Sequence, residues 1–458
     1  MCTYFLLRVF SLLNQTGSSG LIATNTIGQG DAKTVGLEQL TERRCTIYRA
    51  VPSRPWPGDA SLEIAQLWLS RKPWSGDSSL DDESVPHISP SLSADEQAEN
   101  PLPLIANSSR AFQGANVLGL GFLLTKTDAE TLIANDEKYA AVLRPYLNGQ
   151  ELNSLFDAKP DRWVINFRDW PLDNSTAPAG YRGPTASDYP LCLPIVEQKV
   201  KPERMSLPEK NAMNIHAKHF WWQFRELRKQ LLVAVESHDT VLVRARIANT
   251  HSVVQVPSSW VMNEKTVVFV GCSFAVLQSC FHESWARKFS STLRTDMQYT
   301  PTICFETFPF PHRLTGLDAI GNRYHEHRRQ IMLTRQEGLT KTYNCFHDPA
   351  ETSADIQKLR QLHVEMDNAV AAAYGWADLD LGHGFHEKKQ GVRYTISEPA
   401  RREVLARLLK LNHERYAEEV KQGLHEKKKP KATKGKKEAK ANSQSGPSLF
   451  QNAEDDDE

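Results

Sequence analysis

The pattern of apolar and polar positions at the start of the chain predicts helices and strands in alternation. Residues 4–13 carry a broad apolar stripe with a helical period, which predicts a well-buried helix. Residues 21–24, 45–50 and 61–69 have the short apolar or alternating patterns of strands, and a helical segment occurs at 35–42. This alternation is typical of a doubly wound α/β sheet.

The alternating pattern stops early. It ends at Arg71 after about three strands, whereas an open α/β sheet usually has five or six. We therefore expect residues 1–72 to be the later part of an α/β domain and the chain to begin in the middle of that fold. Residues 73–112 follow as an acidic loop or linker, rich in proline, serine and aspartate.

Residues 113–312 are predicted to form an α+β binding domain, because short strands, turns and aromatic clusters alternate along them. Residues 219–235 have the pattern of a helix with an aromatic start. Residues 241–248 have the pattern of a strand, whose period of two places Arg244 and Arg246 on one face. Such a face is suited to contact nucleic acid, or else it is simply solvated.

Residues 290–311 show neither the strand period nor the helix period, which predicts an ordered loop. The segment contains Arg294 and Tyr299 and ends in three closely spaced phenylalanines. A loop of this composition is suited either to bind a nucleic acid or to fill a seam between two domains. We expect the phenylalanines to pack in such a seam, which leaves Arg294 and Tyr299 as the better candidates for binding.

The pattern becomes helical over residues 313–425. A capping box at Thr352 precedes a long amphipathic stretch that ends at Gly375, and a last helix opens at Ser397. Residues 426–458 are lysine-rich and then acidic, which is too polar a composition to fold, so a disordered tail is predicted.

The charges are balanced overall but segregated along the chain. There are 55 basic and 55 acidic residues, so the net charge gives no argument for binding a polyanion. Residues 75–103 hold seven acidic residues and no lysine or arginine, whereas residues 427–440 hold eight lysines. The lysine run is expected to add only a salt-dependent attraction to phosphate.

The seven cysteines predict neither disulfides nor a metal site. No Cys-x-x-Cys pair occurs, so a reducing cytoplasm is the expected location. The spacing of Cys272, Cys280 and His282 matches no common ligand pattern, which favours buried thiols. His383 and His386 are more typical of structural or surface histidines. No run of 18 apolar residues occurs, so no membrane span is predicted.

Five blocks of sequence, taken in order, resemble one family. It is that of the large bacterial DNA adenine methyltransferases of the type IIG restriction–modification kind, which includes MmeI-type enzymes and relatives in phage-defence systems. The resemblance runs from about residue 4 to about residue 420, and the number and order of the blocks make it specific. The blocks are LIATNTIGQGDAKTVGLEQL, SRPWPGDASLEIAQLWL, LRPYLNGQELNS, STLRTDMQYTPTICFETFPFP and HVEMDNAVAAAYGW.

The resemblance implies a division of the chain into family domains. Residues 1–72 are expected to be the C-terminal part of a class I methyltransferase sheet. Residues 113–312 are expected to be the DNA target-recognition domain, and residues 313–425 a helical C-terminal region.

The resemblance also implies which residues lie near the substrate. Asn25, Thr26 and Gln29 are expected at the C-terminal end of a sheet strand, near the pocket for a flipped base. Arg54 and Trp56, which precede another strand of the same sheet, are expected to be substrate-proximal as well.

For the recognition domain, the resemblance implies contacts with double-stranded DNA. Arginine and lysine bind phosphates and guanine edges, and loops on a rigid scaffold often carry binding. Double-stranded DNA is therefore the expected partner, and an N-terminal methyltransferase or nuclease part, encoded separately, is a second. The side chains expected to contact DNA are Arg244, Arg246, Lys265, Arg294 and Tyr299.

Two departures from the family pattern concern catalysis. The family binds S-adenosylmethionine through a Gly-rich loop and positions adenine with an Asn-Pro-Pro-Tyr-type motif, and neither occurs in these 458 residues. S-adenosylmethionine is therefore expected in the complete enzyme and no cofactor in this chain alone. We predict no catalytic residues here and no methyl transfer by this polypeptide alone.

The leading interpretation is the C-terminal part of a site-specific adenine-N6 DNA methyltransferase of a restriction–modification or phage-defence system, contributing target recognition. One alternative is a non-catalytic DNA-binding or assembly subunit of a defence complex. Another is a degenerate, truncated gene product.

Overall fold

The computed structural model describes residues 2–60, 62–94, 100–157, 159–293, 296–388 and 391–425. In its first region helices alternate with strands only as far as the second strand, and no described helix separates the later strands, so the predicted alternation is confirmed only in part. The elements are α1 (Cys2–Leu12), β1 (Ser18–Thr24), α2 (Gly30–Lys33), α3 (Gln39–Glu42), β2 (Thr46–Pro55), β3 (Glu63–Ser70), β4 (Ser78–Leu80) and β5 (Glu83–Val85).

The N-terminal sheet is mixed, and its pairing differs from the doubly wound expectation. The strand order is β1-β3-β2-β4-β5, with β3 antiparallel to both of its neighbours. Among the described ladders of this sheet, only that between β2 and β4 is parallel. The segment predicted to be an acidic linker supplies β4 and β5 and packs Ile88 and Leu92 into the core beneath the sheet.

Helix α1 is buried on one side only, although its broad apolar stripe predicts a well-buried helix. Leu6 and Phe10 belong to the N-terminal core. Tyr4, Phe5 and Leu12 are 69%, 67% and 68% exposed. The described part of the chain therefore leaves one apolar face of this helix uncovered.

The middle region is a mixture of short helices and strands, which confirms the prediction of mixed α and β structure. Two four-stranded sheets have the orders β12-β10-β14-β6 and β13-β8-β9-β7, and a three-stranded one has the order β11-β16-β15. The strands are β6 (Ala111–Gln113), β7 (Leu123–Thr125), β8 (Leu143–Leu147), β9 (Arg162–Ile165), β10 (Thr240–Ala245), β11 (Ile247–Ala248), β12 (Val254–Pro257), β13 (Val261–Met262), β14 (Thr266–Phe269), β15 (Ser291–Leu293) and β16 (Asp296–Gln298). The helices are α4 (Lys126–Asn135), α5 (Gly149–Ser154), α6 (Leu193–Lys199), α7 (Lys201–Met205), α8 (Ala212–His219), α9 (Lys229–Val235), α10 (Phe274–Gln278), α11 (Cys280–Phe289) and α12 (Pro301–Cys304).

Residues 219–235 do not form the single helix that their pattern predicts. Helix α8 ends at His219 and α9 begins at Lys229, with an irregular segment between them. The segment between the two helices packs its aromatic residues into the core of the middle region. The buried aromatic residues are Trp221, Trp222 and Phe224.

Residues 290–311 contain β15, β16 and α12, so the prediction of a loop without regular elements is wrong. Phe305 and Phe308 are fully buried. The Asn107 side-chain amide donates to both of their carbonyls, and the Tyr374 hydroxyl donates to the Pro309 carbonyl at 3.0 Å. The prediction that these phenylalanines pack between the middle and the helical regions is confirmed.

The last region is mainly helical. Its elements are α13 (Leu317–Arg335), α14 (Leu339–His347), α15 (Ala354–Tyr374), β17 (Gly384–Lys388), β18 (Gly391–Thr395) and α16 (Glu398–Lys421). Two helix-end predictions are confirmed: Gly375 ends α15 with a φ of 77°, and the Ser397 hydroxyl caps α16. The predicted capping box at Thr352 is wrong, because Ser353 directly precedes α15 and its side chain makes no capping hydrogen bond. A single core extends from β10 and α11 into α13, α15 and α16. No helix in the described ranges is long and apolar enough to cross a membrane.

Candidate nucleic-acid interface

Two cations lie side by side where β10 and β14 meet. The Arg246 N–H donates to the Lys265 carbonyl at 2.8 Å, which makes the two residues neighbours. Lys265 is exposed and Arg246 is half-buried. Within the described residues, neither side chain forms an ion pair or a hydrogen bond. Both positive charges are therefore available to an external anion, as the prediction for these two residues requires.

The β15–β16 hairpin lies beside this pair. Its strand β16 pairs with β11, which places Gln298 opposite Ile247. The Tyr299 N–H donates to the Arg246 carbonyl at 2.8 Å and holds the end of the hairpin next to Arg246. Arg294 lies outside the described residues, so its contact with DNA stays a prediction.

Arg244 and Tyr299 lie in the core, and their predicted role as surface contacts is corrected. They are 1% and 0% exposed. The Arg244 guanidinium lies over the Tyr299 ring, 4.4 Å from its centroid, and the Tyr299 hydroxyl is hydrogen-bonded to His282 Nε2 at 2.9 Å. The physical reason is that both faces of β10 are covered, so Val241 to Ala245 are all buried.

Burial fixes the protonation states around Arg244. It lowers the pKa of Arg244 to about 10, so the guanidinium remains charged at neutral pH. Burial and the charge of Arg244 lower the pKa of His251 to about 3, so the imidazole is neutral. Its Nδ1 therefore accepts from Arg244 Nη1 at 3.0 Å, and its Nε2 donates to the Leu277 carbonyl at 2.7 Å. This chain of contacts fastens β10 to α10.

Three predicted substrate-proximal residues meet at one edge of the N-terminal sheet. Strands β1 and β2 are both antiparallel to β3, so their C-terminal ends lie at the same edge. There the Asn25 amide donates to the Ser53 hydroxyl at 3.1 Å, next to Arg54. Arg54 pairs with Asp82 at 3.0 Å, and Trp56 is 40% exposed.

The other two predicted substrate-proximal residues have different surroundings. The Thr26 hydroxyl is hydrogen-bonded to the Thr24 hydroxyl at 3.0 Å. Gln29 lines a cavity of about 360 Å³ together with Lys33 and Arg287. That cavity lies between residues 28–34, which follow β1, and the C-terminal end of α11, so Gln29 lies at a seam between regions of the chain.

A second basic surface occurs that the sequence did not predict. It is a cavity of about 580 Å³ between α11 and the β17–β18 hairpin, which we call the basic cavity. Arg287 and Lys288 also line the cavity that holds Gln29, so the two spaces adjoin. The cationic residues of the basic cavity are Arg287, Lys288, Lys388, Arg393 and Arg401.

Arg393 differs from its neighbours in the basic cavity. Arg287 pairs with Glu283 at 2.7 Å, and Lys388 pairs with Glu398 at 2.9 Å. The half-buried Arg393 side chain makes no ion pair or hydrogen bond within the ranges that the structure describes. Burial and the nearby Arg287 lower the pKa of Arg393, and the Glu283 carboxylate offsets part of this effect, so a further anion beside Arg393 would be stabilising.

The sequence contains only a weak signal for the basic cavity. Lysines and an arginine flank the turn at Gly391 in EKKQGVRYT, where the short strands of a basic hairpin are recognisable. Arg287 and Lys288 are about a hundred residues away in sequence. Only the fold brings these two groups of cations together.

The first comparison with known proteins concerns the middle region. Residues 103–312 match the family model of the MmeI target recognition domain. This match confirms the resemblance to MmeI-type enzymes over the region that holds Arg246 and Lys265. No curated protein sequence matches the chain.

The fold as a whole is similar to that of the Type IIL restriction-modification enzyme MmeI, whose structure was solved in complex with DNA. The TM-score is 0.62 at 17% sequence identity, and the match covers 91% of this chain and 55% of that chain. This chain therefore spans about half the length of MmeI. At this identity the likeness concerns the fold.

Proposed function

We propose that this chain recognises a target sequence in double-stranded DNA as part of a restriction–modification enzyme. The observation that carries the proposal is the match of residues 103–312 to the MmeI target recognition domain. The structure of MmeI, similar in fold, contains DNA. A protein that reads sequence needs cations that hold the phosphate backbone in register, in addition to groups that read bases.

Arg246 and Lys265 are the phosphate contacts that the geometry favours. They are adjacent, they lie in the matched region, and their side chains have no partner within the described residues. Arg393 in the basic cavity is a further candidate, because its guanidinium is likewise unpaired in the part of the chain that the structure describes. Phosphate contacts of this kind set affinity and position more than sequence choice.

Replacing Arg246 and Lys265 together by alanine is expected to weaken binding equally on every duplex sequence. Each phosphate contact contributes roughly 0.9 to the slope of log affinity against log salt, so the slope should become shallower by up to about 2. Fluorescence anisotropy with a labelled duplex at several salt concentrations measures both quantities.

The matched control replaces Arg329 and Lys410 by alanine. Both are exposed, with 53% and 80% of their side chains accessible, and both lie in helices outside residues 103–312. The control removes the same charge and should leave the slope unchanged. If the Arg246 and Lys265 variant loses affinity for one sequence only, its side chains read bases, and their assignment to phosphates is wrong.

We further propose that the complete enzyme methylates adenine at N6 and that residues 1–72 are the later part of its class I methyltransferase sheet. The described residues at the end of β1 do not fit a complete cofactor site. The Asn25 amide is taken by Ser53, and the Gly-rich loop and the Asn-Pro-Pro-Tyr motif do not occur in the sequence. No step through S-adenosylmethionine is therefore derived from these residues.

The purified chain is expected to transfer no methyl groups from labelled S-adenosylmethionine to mixed-sequence duplex DNA. The reason is that the family's cofactor and adenine-binding motifs are missing from these 458 residues. Filter-bound radioactivity measures the transfer, with an active adenine methyltransferase as the positive control. Incorporation clearly above the protein-free background would mean that other residues of this chain perform the chemistry.

The uncovered apolar face of α1 supports a separate polypeptide or segment as partner. Strand β1 is an edge of its sheet, and its Ile22 is 61% exposed. An edge strand with an apolar neighbour is stabilised when another strand and its helix cover it. The same face would serve the second candidate function, that of a non-catalytic subunit in a defence complex.

A further inference from the structure

Four polar side chains meet in the core, away from the surfaces described above. Cys280 is the first residue of α11, His363 and Asp367 lie one turn apart on α15, and His383 precedes β17. Cys280, His363 and Asp367 are 1%, 4% and 0% exposed. Three distant parts of the sequence thus place a thiol, two imidazoles and a carboxylate in one buried cluster.

Three of the donor atoms lie close enough together to bind one ion. The Cys280 Sγ is 3.2 Å from His363 Nε2, which is 3.5 Å from Asp367 Oδ2. All three atoms lie within 4.8 Å of one another. A tetrahedral zinc ion, with bonds of about 2.3 Å to sulfur and about 2.0–2.1 Å to nitrogen and oxygen, separates such ligands by roughly 3.3–3.6 Å. The two measured distances are close to that range.

The charge of Asp367 also points to a cation. Its carboxylate accepts from the Cys280 N–H at 2.9 Å and contacts His383 Nε2 at 2.8 Å. No lysine or arginine among the described residues forms an ion pair with it. A fully buried carboxylate is normally paired with a full positive charge or bound to a metal. The partners of Asp367 among the described residues are one backbone N–H and two imidazoles.

We propose that Cys280, His363 and Asp367 are the protein ligands of a structural zinc ion. Sulfur, imidazole nitrogen and carboxylate oxygen are all ligands that zinc accepts, and a water molecule would complete the tetrahedron. His383 is the outer partner that orients the Asp367 carboxylate, as such partners do at many metal sites. The ion fastens α11, at the end of the recognition region, to α15 of the helical region.

The metal content of the full-length protein tests the proposal. After expression in zinc-supplemented medium and purification without chelator, elemental analysis should find about one zinc per folded chain. Cys280→Ser should lose most of that zinc. Cys304→Ser is the matched control, because Cys304 is equally buried in the same core but lies outside the cluster. It should retain the zinc.

Cobalt binding to the wild-type protein provides a second test, which does not depend on whether Cys280→Ser folds. Adding Co²⁺ to the metal-stripped wild-type protein should produce a thiolate-to-cobalt charge-transfer band, and zinc should abolish it. A wild-type protein that is folded by circular dichroism, contains no zinc and gives no such band would overturn the proposal. The cluster would then be a metal-free hydrogen-bonded cap on α11.

Discussion

Replacing Arg204 by methionine is expected to destabilise the recognition region by about 3 kcal/mol. Arg204 is 1% exposed, and its guanidinium donates to five carbonyl oxygens. Methionine fills most of the volume but leaves these acceptors without their donor. Methionine carries no charge that must be buried, which offsets part of the loss in the free energy of unfolding. The carbonyls belong to Val117, Leu118, Ala217, Phe220 and Gln223.

The measurement for Arg204 is the thermal midpoint of the recognition region. A loss of about 3 kcal/mol should lower it by roughly 6–12 °C. Arg182→Met is the control, since Arg182 is exposed and its replacement should change the free energy of unfolding by less than about 0.5 kcal/mol. Equal midpoints for the two variants would show that Arg204 does not hold the irregular segments of this region together.

Replacing Trp285 by alanine is expected to cost about 3–5 kcal/mol, because it leaves a cavity in the shared core. Trp285 is 0% exposed, and its indole N–H donates to the Thr307 hydroxyl at 3.1 Å. Its ring also meets Phe308 edge-to-face, with centroids 5.9 Å apart. The loss should therefore loosen residues 290–311 from α11.

Hydrogen exchange measures this effect locally. In Trp285→Ala, amides of residues 301–310 should exchange faster, along with a lower global midpoint. Trp56→Ala is the matched control, because Trp56 is 40% exposed and lies in the N-terminal region. Its exchange pattern over 301–310 should equal that of the wild type. An unchanged pattern in Trp285→Ala would mean that Trp285 does not support this segment.

Periodicity predicted the elements that are long or that have clear ends. The helices α15 and α16 were predictable, because the glycine that ends α15 and the serine that caps α16 are local signals. The pairing of the N-terminal strands was not, since a period of two marks a strand and its faces but does not show which strand is its partner. The aromatic run at 219–235 was misjudged because burial in a tertiary core outweighed its helical pattern.

Tertiary contacts also decide which of the predicted site residues are exposed and which are buried. A strand period shows which residues share a face, but it cannot show whether that face is covered. Arg244 was therefore predicted on a surface and lies in the core, whereas Lys265 is exposed as required. Arg393 and the Cys280 cluster depend on contacts between distant segments, which no local spacing shows.

The most direct test of DNA target recognition is selection from a pool of duplexes with a randomised centre. The full-length chain should retain duplexes at low salt, and repeated selection should converge on one short sequence. A single base change in that sequence should weaken binding by about 1–3 kcal/mol. Retention without convergence, or no complex even at low salt, would contradict the assignment of residues 103–312 to target recognition.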